Sequence, residues 1–285
     1  MLMVSGTLGF NQVAAKVALA DIPPLMQAGL RSLVAAAILG VATCWRPPLR
    51  VTRDGTLGAG LVIGVFFALE FIALYLGLQW TSASHAILFL YTAPFFVALG
   101  LKSFVPAERL RPLQWGGLVL SFAGVGCALL ASVTVSDTML VGDLFCLLAG
   151  ALWGVTTLLA KATRLRSAPP VEVLLYQLAV SAIIIPVAAA LKGERWPTAV
   201  SLLSTVAMGF QILVACVTFL VWFWLLRRYR TGELSSMTFL TPLVGVAAGV
   251  LLLGDELEPR FLFGLVLVAA GIFTVNWPER SKPSS

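Results

Sequence analysis

Charge is what this sequence has least of. Only 11% of its 285 residues are charged, against 59% hydrophobic, and it contains a single histidine. Soluble domains carry about 25% charged residues, so a water-soluble core is excluded. Cysteine is scarce as well. Cys44, Cys127, Cys146 and Cys216 fall inside or at the edges of apolar stretches with no metal-ligand spacing, and read as small apolar helix residues. No alternation of apolar and polar residues runs along the chain, which excludes membrane strands of about 9–11 residues. No basic leader precedes the first apolar stretch. That stretch contains Asn11, Gln12 and Lys16, so it reads as a first helix rather than a signal peptide.

What is present is a series of charge-free windows, at 112–136, 144–160, 173–191, 196–226, 234–254 and 261–278. A hydrocarbon core of roughly 30 Å needs about 20 apolar helical residues, and each window supplies one span. Charge, proline and glycine divide the chain into ten predicted spans: 2–19, 24–43, 57–79, 82–101, 113–131, 142–160, 171–191, 198–226, 231–254 and 260–277. The predicted class is an all-α polytopic membrane protein.

The net charge of +6 does not indicate a nucleic-acid partner, because of where the charge lies. With the N-terminus inside, the connections at 44–56, 102–112, 161–170 and 227–230 and the tail hold fourteen Lys and Arg. The opposite connections hold three, Lys192, Arg195 and Arg260. This is the positive-inside asymmetry. It predicts a bacterial-type inner membrane location, both termini cytoplasmic, and a basic face toward anionic lipid.

The chain is written twice. GLVLSFAGV at 117–125 matches GLVLVAAGI at 264–272, Pro94 matches Pro242, and Pro23-Pro24 matches Pro169-Pro170. Gly9 then falls opposite Gly154, Lys16 opposite Lys161 and Arg31 opposite Gln177, at an offset of 145 to 148 residues throughout. Two repeats are expected, 1–135 and 136–285. Five spans per repeat is an odd number, so the second copy would enter the membrane inverted, as in secondary transporters with a site between the halves. Pro94 and Pro242 each free a carbonyl four residues earlier, at Leu90 and Thr238. A helix break lining a cavity and a plain packing kink both fit.

The stretch ALYLGLQWTSASHAILFLYTAPFFVALG at 73–100 resembles the third-to-fourth helix segment of EamA-type transporters, of the drug/metabolite transporter superfamily. FWLLRRYRTGELSSMTFLTPLVGVAAGVLLLGDEL at 223–257 resembles the same segment in the second copy, and GDLFCLLAGALWGVTTLLAK at 142–161 resembles the opening of repeat two. The resemblance covers essentially the whole chain. It implies ten helices, two inverted five-helix halves around a central cavity, and export of small metabolites, with aromatic and neutral amino acids foremost. The first repeat shows Leu8-Gly9 where Trp-Gly is common, as at Trp153-Gly154. Asn11 and Gln12 stand where the small multidrug-resistance relatives carry a membrane-embedded glutamate.

Ionisable groups inside spans are costly and point to function. Glu70 either receives a substrate ammonium group or a proton, or neutralises Arg31. His85 reads as a cavity contact, a helix–helix hydrogen bond or a proton carrier, with Phe89 one turn along as an aromatic wall. Lys16 and Arg31 lie in the outer halves of their spans, where snorkelling outward is the plain alternative. Asn11 and Gln12 either bond a neighbouring helix or line the cavity. Five tryptophans fall at span ends and Trp222 and Trp224 near one; Trp153 alone reads as deep, with Thr157 one turn away, and either stacks on a substrate or packs in the core. The expected substrate-binding set is therefore Asn11, Gln12, Glu70, His85, Phe89, Trp153, Thr157 and Gln177, with helix breaks at Pro94 and Pro242. No metal, cofactor or nucleic acid is expected; the partners are membrane lipid and a small molecule, an amino acid or related metabolite, and the chain acts as monomer or homodimer. One histidine and no paired intramembrane acids argue against an enzyme. An exporter of cationic drugs driven by proton exchange through Glu70 is the alternative.

Overall fold

The structure, a computed structural model, describes residues 2–44, 55–104, 112–228, 240–275 and 277. Among them ten helical segments follow one another. The first three are α1 (Leu2–Ala18), α2 (Pro24–Cys44) and α3 (Leu57–Trp80). The fourth is split into α4 (Ala83–Leu90) and α5 (Ala93–Phe104). Then come α6 (Pro112–Val135), α7 (Asp137–Ala162) and α8 (Pro170–Leu191). The eighth comprises α9 (Leu202–Leu213), a π-helical turn (Val214–Thr218) and α10 (Phe219–Arg228). The last two are α11 (Leu240–Ala248), extended by a second π-helical turn (Gly249–Leu253), and α12 (Pro259–Val275). Six of the ten are individually long and apolar enough to cross a bilayer. Leu33, Val119, Ile183, Leu203 and Phe263 are among the large apolar side chains exposed on the surface, as lipid-facing residues must be. The chain is an all-α polytopic membrane protein.

The starts of these helices follow from local chemistry. Pro24 and Pro170 open α2 and α8, where a missing N–H costs nothing. Ser82, Ser136 and Ser201 cap α4, α7 and α9 by accepting the N–H of His85, Met139 and Ser204 at 3.1, 3.1 and 3.2 Å. The break in the fourth span lies just before Pro94. There Tyr91 and Thr92 form a turn, and the Thr92 hydroxyl donates to the Phe89 carbonyl at 2.6 Å. Pro242 lies in the first turn of α11. The start of the ninth predicted span and the carbonyl of Thr238 lie outside the described residues.

Packing pairs the two halves crosswise. α6 lies against α12, α2 against α8 and α9, α3 against α7 and α8, α1 against α9 and α11, and α7 against α4 and α5. Exchanging the first five spans with the last five leaves this set of pairs unchanged. The repeated glycines make the closest approaches to another helix's backbone. A β-carbon on Gly264 would stand 2.6 Å from the Gly124 carbonyl oxygen, and one on Gly124 would stand 2.7 Å from that of Gly264. Gly9 meets Thr241 and Gly245 of α11, while Gly154 meets Ala93 and Val97 of α5. Small residues let membrane helices close to backbone contact, where dispersion and weak C–H···O contacts replace the absent hydrophobic drive.

Polar contacts gather at the end carrying the 19–23, 81–82, 192–201 and 254–258 connections. Asp255 accepts the Ser84 N–H at 2.9 Å, Glu194 accepts that of Met26 at 2.9 Å, and Asp21 accepts the N–H and hydroxyl of Ser201 at 2.9 and 2.5 Å. The hydrogen bonds from Ser201 and Ser204 hold the exposed Asp21 carboxyl below its ordinary range. Lys16 does not snorkel outward. Its ammonium donates to the Leu78 and Thr81 carbonyls at 2.7 and 2.6 Å and so caps the end of α3.

Candidate functional site

A cavity opens between the halves, built from helical faces at i, i+3, i+4 spacing. α1 contributes Leu8, Asn11 and Gln12; α3 contributes Phe67, Glu70, Phe71 and Leu74; α7 contributes Trp153, Thr156 and Thr157; α10 contributes Phe219, Trp222 and Phe223. Gln177 of α8 and the broken end of the fourth span, Leu90 and Tyr91, complete the wall. The Pro94 break thus delivers an irregular segment to the cavity, where such backbone is tolerable in a membrane.

The wall is aromatic with polar groups set into it. Tyr91 meets Trp153 edge-to-face at 5.1 Å, and Trp153 and Trp222 lie 6.4 Å apart. Asn11 Oδ1, Gln12 Oε1, Glu70 Oε2 and Gln177 Oε1 are buried and find no hydrogen-bond partner among the protein's described atoms. Buried polar atoms left this way are uncommon. Four around one cavity, on three helices from both halves, describe a wall suited to a polar guest. The amides can turn over to offer oxygen or nitrogen.

Six of the eight expected binding residues are therefore brought together: Asn11, Gln12, Glu70, Trp153, Thr157 and Gln177. His85 and Phe89 are not. The His85 Nδ1 lies 2.8 Å from Asp143 Oδ2, its ring stacks on Phe261 at 3.9 Å, and the Thr81 hydroxyl donates to the other Asp143 oxygen at 2.5 Å. This corrects the cavity-lining placement. His85 makes a helix–helix hydrogen bond, because its carboxylate partner stands across the interface on α7. Phe89 is fully buried in the core, its ring 6.2 Å from that of His85. Arg31, expected to snorkel or to pair with Glu70, does neither: it is fully buried, and no Asp or Glu oxygen among the described residues lies within 4.0 Å of its nitrogens. The Phe71 ring covers it instead, 3.7 Å from Cζ.

Sequence reasoning missed Phe67, Phe71, Phe219, Trp222 and Phe223. Trp222 read as a span-end residue. The spacing of 219, 222 and 223 was the available signal, and the π-helical turn just before it is the sort of irregularity that often marks a functional site. Asp143 was missed as the partner of His85. Among the described residues no cluster of His, Cys, Asp and Glu could hold a metal ion.

The profile of the EamA-like transporter family matches residues 1–130 and again 140–277. The chain belongs to this family. It is similar to the "Probable amino-acid metabolite efflux pump" of Salmonella typhimurium, 32% identical with 95% of this chain and 92% of that protein covered. The Escherichia coli K12 protein of the same description is 31% identical, with 100% and 97% covered. The "Uncharacterized transporter YoaV" of Bacillus subtilis is 25% identical, with 93% and 91% covered. A crystal structure at 18% identity superposes with a TM-score of 0.66 over 96% of each chain, which shows a shared fold. This EamA-like protein is a multi-pass membrane transporter of small molecules, not an enzyme.

Proposed function

We propose that this EamA-like transporter exports small organic metabolites, amino acids foremost and among them the aromatic and neutral ones, across the inner membrane. The observation that carries the reading is the cavity. It lies between the halves, offers aromatic walls for an apolar side chain and buried unpartnered polar groups for a compact polar head, and occurs in a chain similar over its whole length to proteins described as amino-acid metabolite efflux pumps. The two halves act as inverted repeats that rock about this site, supported by the crosswise packing and the repeated glycines. Both termini are cytoplasmic on the charge asymmetry, so the polar-stitched end faces outward. The protein works as monomer or homodimer.

Counterflow in proteoliposomes tests this. Vesicles preloaded with one unlabelled amino acid should take up labelled tracer saturably, and Glu70→Gln should weaken that uptake about tenfold or more, the usual cost of a lost charge-assisted hydrogen bond. No exchange with any of the twenty amino acids, in vesicles that hold folded protein, would remove the reading. A second reading is kept by one observation: among the described residues no Lys or Arg nitrogen lies within 4.0 Å of Glu70. Such a carboxylate suits a cationic drug exchanged for protons. That reading expects uptake of cations driven by a pH gradient and abolished by Glu70→Gln.

A further inference from the structure

Arg31 is among the largest fully buried side chains of the molecule. Its Nε, Nη1 and Nη2 find no hydrogen-bond acceptor among the described residues. What surrounds the guanidinium is aromatic: the Phe71 ring centroid 3.7 Å from Cζ, that of Phe219 at 5.9 Å and that of Tyr75 at 6.0 Å. A ring face attracts a cation but accepts none of its five N–H groups in plane. A buried guanidinium without a paired anion is among the least favourable arrangements a membrane core can hold.

Phe71 and Phe219 also line the cavity, so the guanidinium stands directly behind the cavity wall. Glu70, the neighbour of Phe71 in sequence, has its Oε2 buried and unpartnered. The site thus holds one basic and one acidic side chain with no ion pair between them. A purely cationic guest would satisfy Glu70 and leave Arg31 bare. A purely anionic guest would do the reverse. A zwitterion completes both.

We infer that Arg31 receives the carboxylate of the transported molecule, reached when the Phe71 ring turns aside, while Glu70 takes its ammonium group. The ligand class is the α-amino acid with both ends free. Amides, esters and N-acyl derivatives are excluded. The planar guanidinium fork suits a carboxylate in two-pronged contact, which a lysine at this position would not reproduce. The inference rests on the reading of the cavity as an amino-acid site.

The test is competition against counterflow by the full-length protein in proteoliposomes, using L-phenylalanine, L-phenylalaninamide and N-acetyl-L-phenylalanine, or the same trio built on whichever amino acid exchanges best. Wild-type protein should prefer the free acid to the carboxamide by about 30-fold or more, the usual scale for a buried charge pair losing one partner. Arg31→Gln should bring that ratio close to one while the penalty for N-acetylation, which belongs to Glu70, stays. If Arg31→Gln does not fold, Arg31→Lys replaces it and should lower the acid-to-amide ratio severalfold. A wild-type protein that accepts the carboxamide as readily as the acid overturns the inference, as does a ratio unchanged in a folded Arg31 variant. Both results leave amino-acid transport standing. Absence of counterflow with every amino acid removes the underlying reading instead, so the two failures are told apart.

Discussion

At the scale of single residues, polar side chains in this membrane protein sort by whether another helix already satisfies them. Asp143 is fully buried and serves two donors, the ring of His85 and the hydroxyl of Thr81. Asp143→Ala should cost about 1–3 kcal/mol for each donor left without an acceptor, and Asp143→Asn, which keeps one acceptor, should cost less. Thermal denaturation in detergent checks this; equal midpoints for wild type and Asp143→Ala would refute it. Substrate selectivity should not change, since neither residue touches the cavity. The same distinction explains what was legible. Asn11, Gln12, Glu70 and Gln177 stood out because an apolar span gives a polar residue few neighbours except another helix or a cavity. His85 looked alike in sequence, but its partner lies 58 residues away on α7. No local pattern reports such a pairing. Phe71 and Trp222 were invisible for the opposite reason: an aromatic residue in a membrane helix reads the same whether it faces lipid, core or ligand.

At the scale of elements, the repeated nonapeptide identified by sequence becomes a helix crossing. Gly124 of α6 and Gly264 of α12 approach each other's carbonyls, and Gly271 approaches the carbonyl of Gly117 at 2.5 Å from an added β-carbon. Replacing Gly264 with Val places a branched side chain against backbone that cannot swing away. The substitution should destabilise the protein by about 1–3 kcal/mol, the usual cost of overpacking. Gly126→Ala on α6 meets nothing within 4 Å and serves as the control. A Gly264→Val protein as stable as Gly126→Ala would show that the two helices do not pack this way. Span positions were readable to within a few residues because charge, proline and bilayer thickness fix them together. The split of the fourth span was foreshadowed by Pro94, whereas the π-helical turns at Val214–Thr218 and Gly249–Leu253 were not. A π turn differs from α by one shifted hydrogen bond and leaves no compositional mark.

At the scale of the whole molecule, the halves are joined at one end by contacts that any opening toward that side must break. Thr81 and His85 reach Asp143, Ser84 reaches Asp255, Met26 reaches Glu194 and Ser201 reaches Asp21. Each joins a residue of the first half to one of the second. The cavity lies away from this seam, lined by residues from the middle of α1 and α3, the later turns of α7 and the first turns of α10. If the seam closes the outer side, weakening one contact there should raise the outward-open fraction without touching the binding residues. Asp255 is the suitable position, since it lies in a connection and accepts a backbone N–H of the opposite half at 2.9 Å. Asp255→Ala should speed labelling of a cysteine placed at Asn11 by a membrane-impermeant maleimide added outside intact cells. The native cysteines are replaced first, and about tenfold is the expected gain for losing one hydrogen bond to a charged group. Labelling that stays at the wild-type rate would mean that the Ser84–Asp255 contact does not hold the outer side shut. Faster labelling from the cytoplasmic side alone would place this end inside and reverse the orientation inferred from the basic residues.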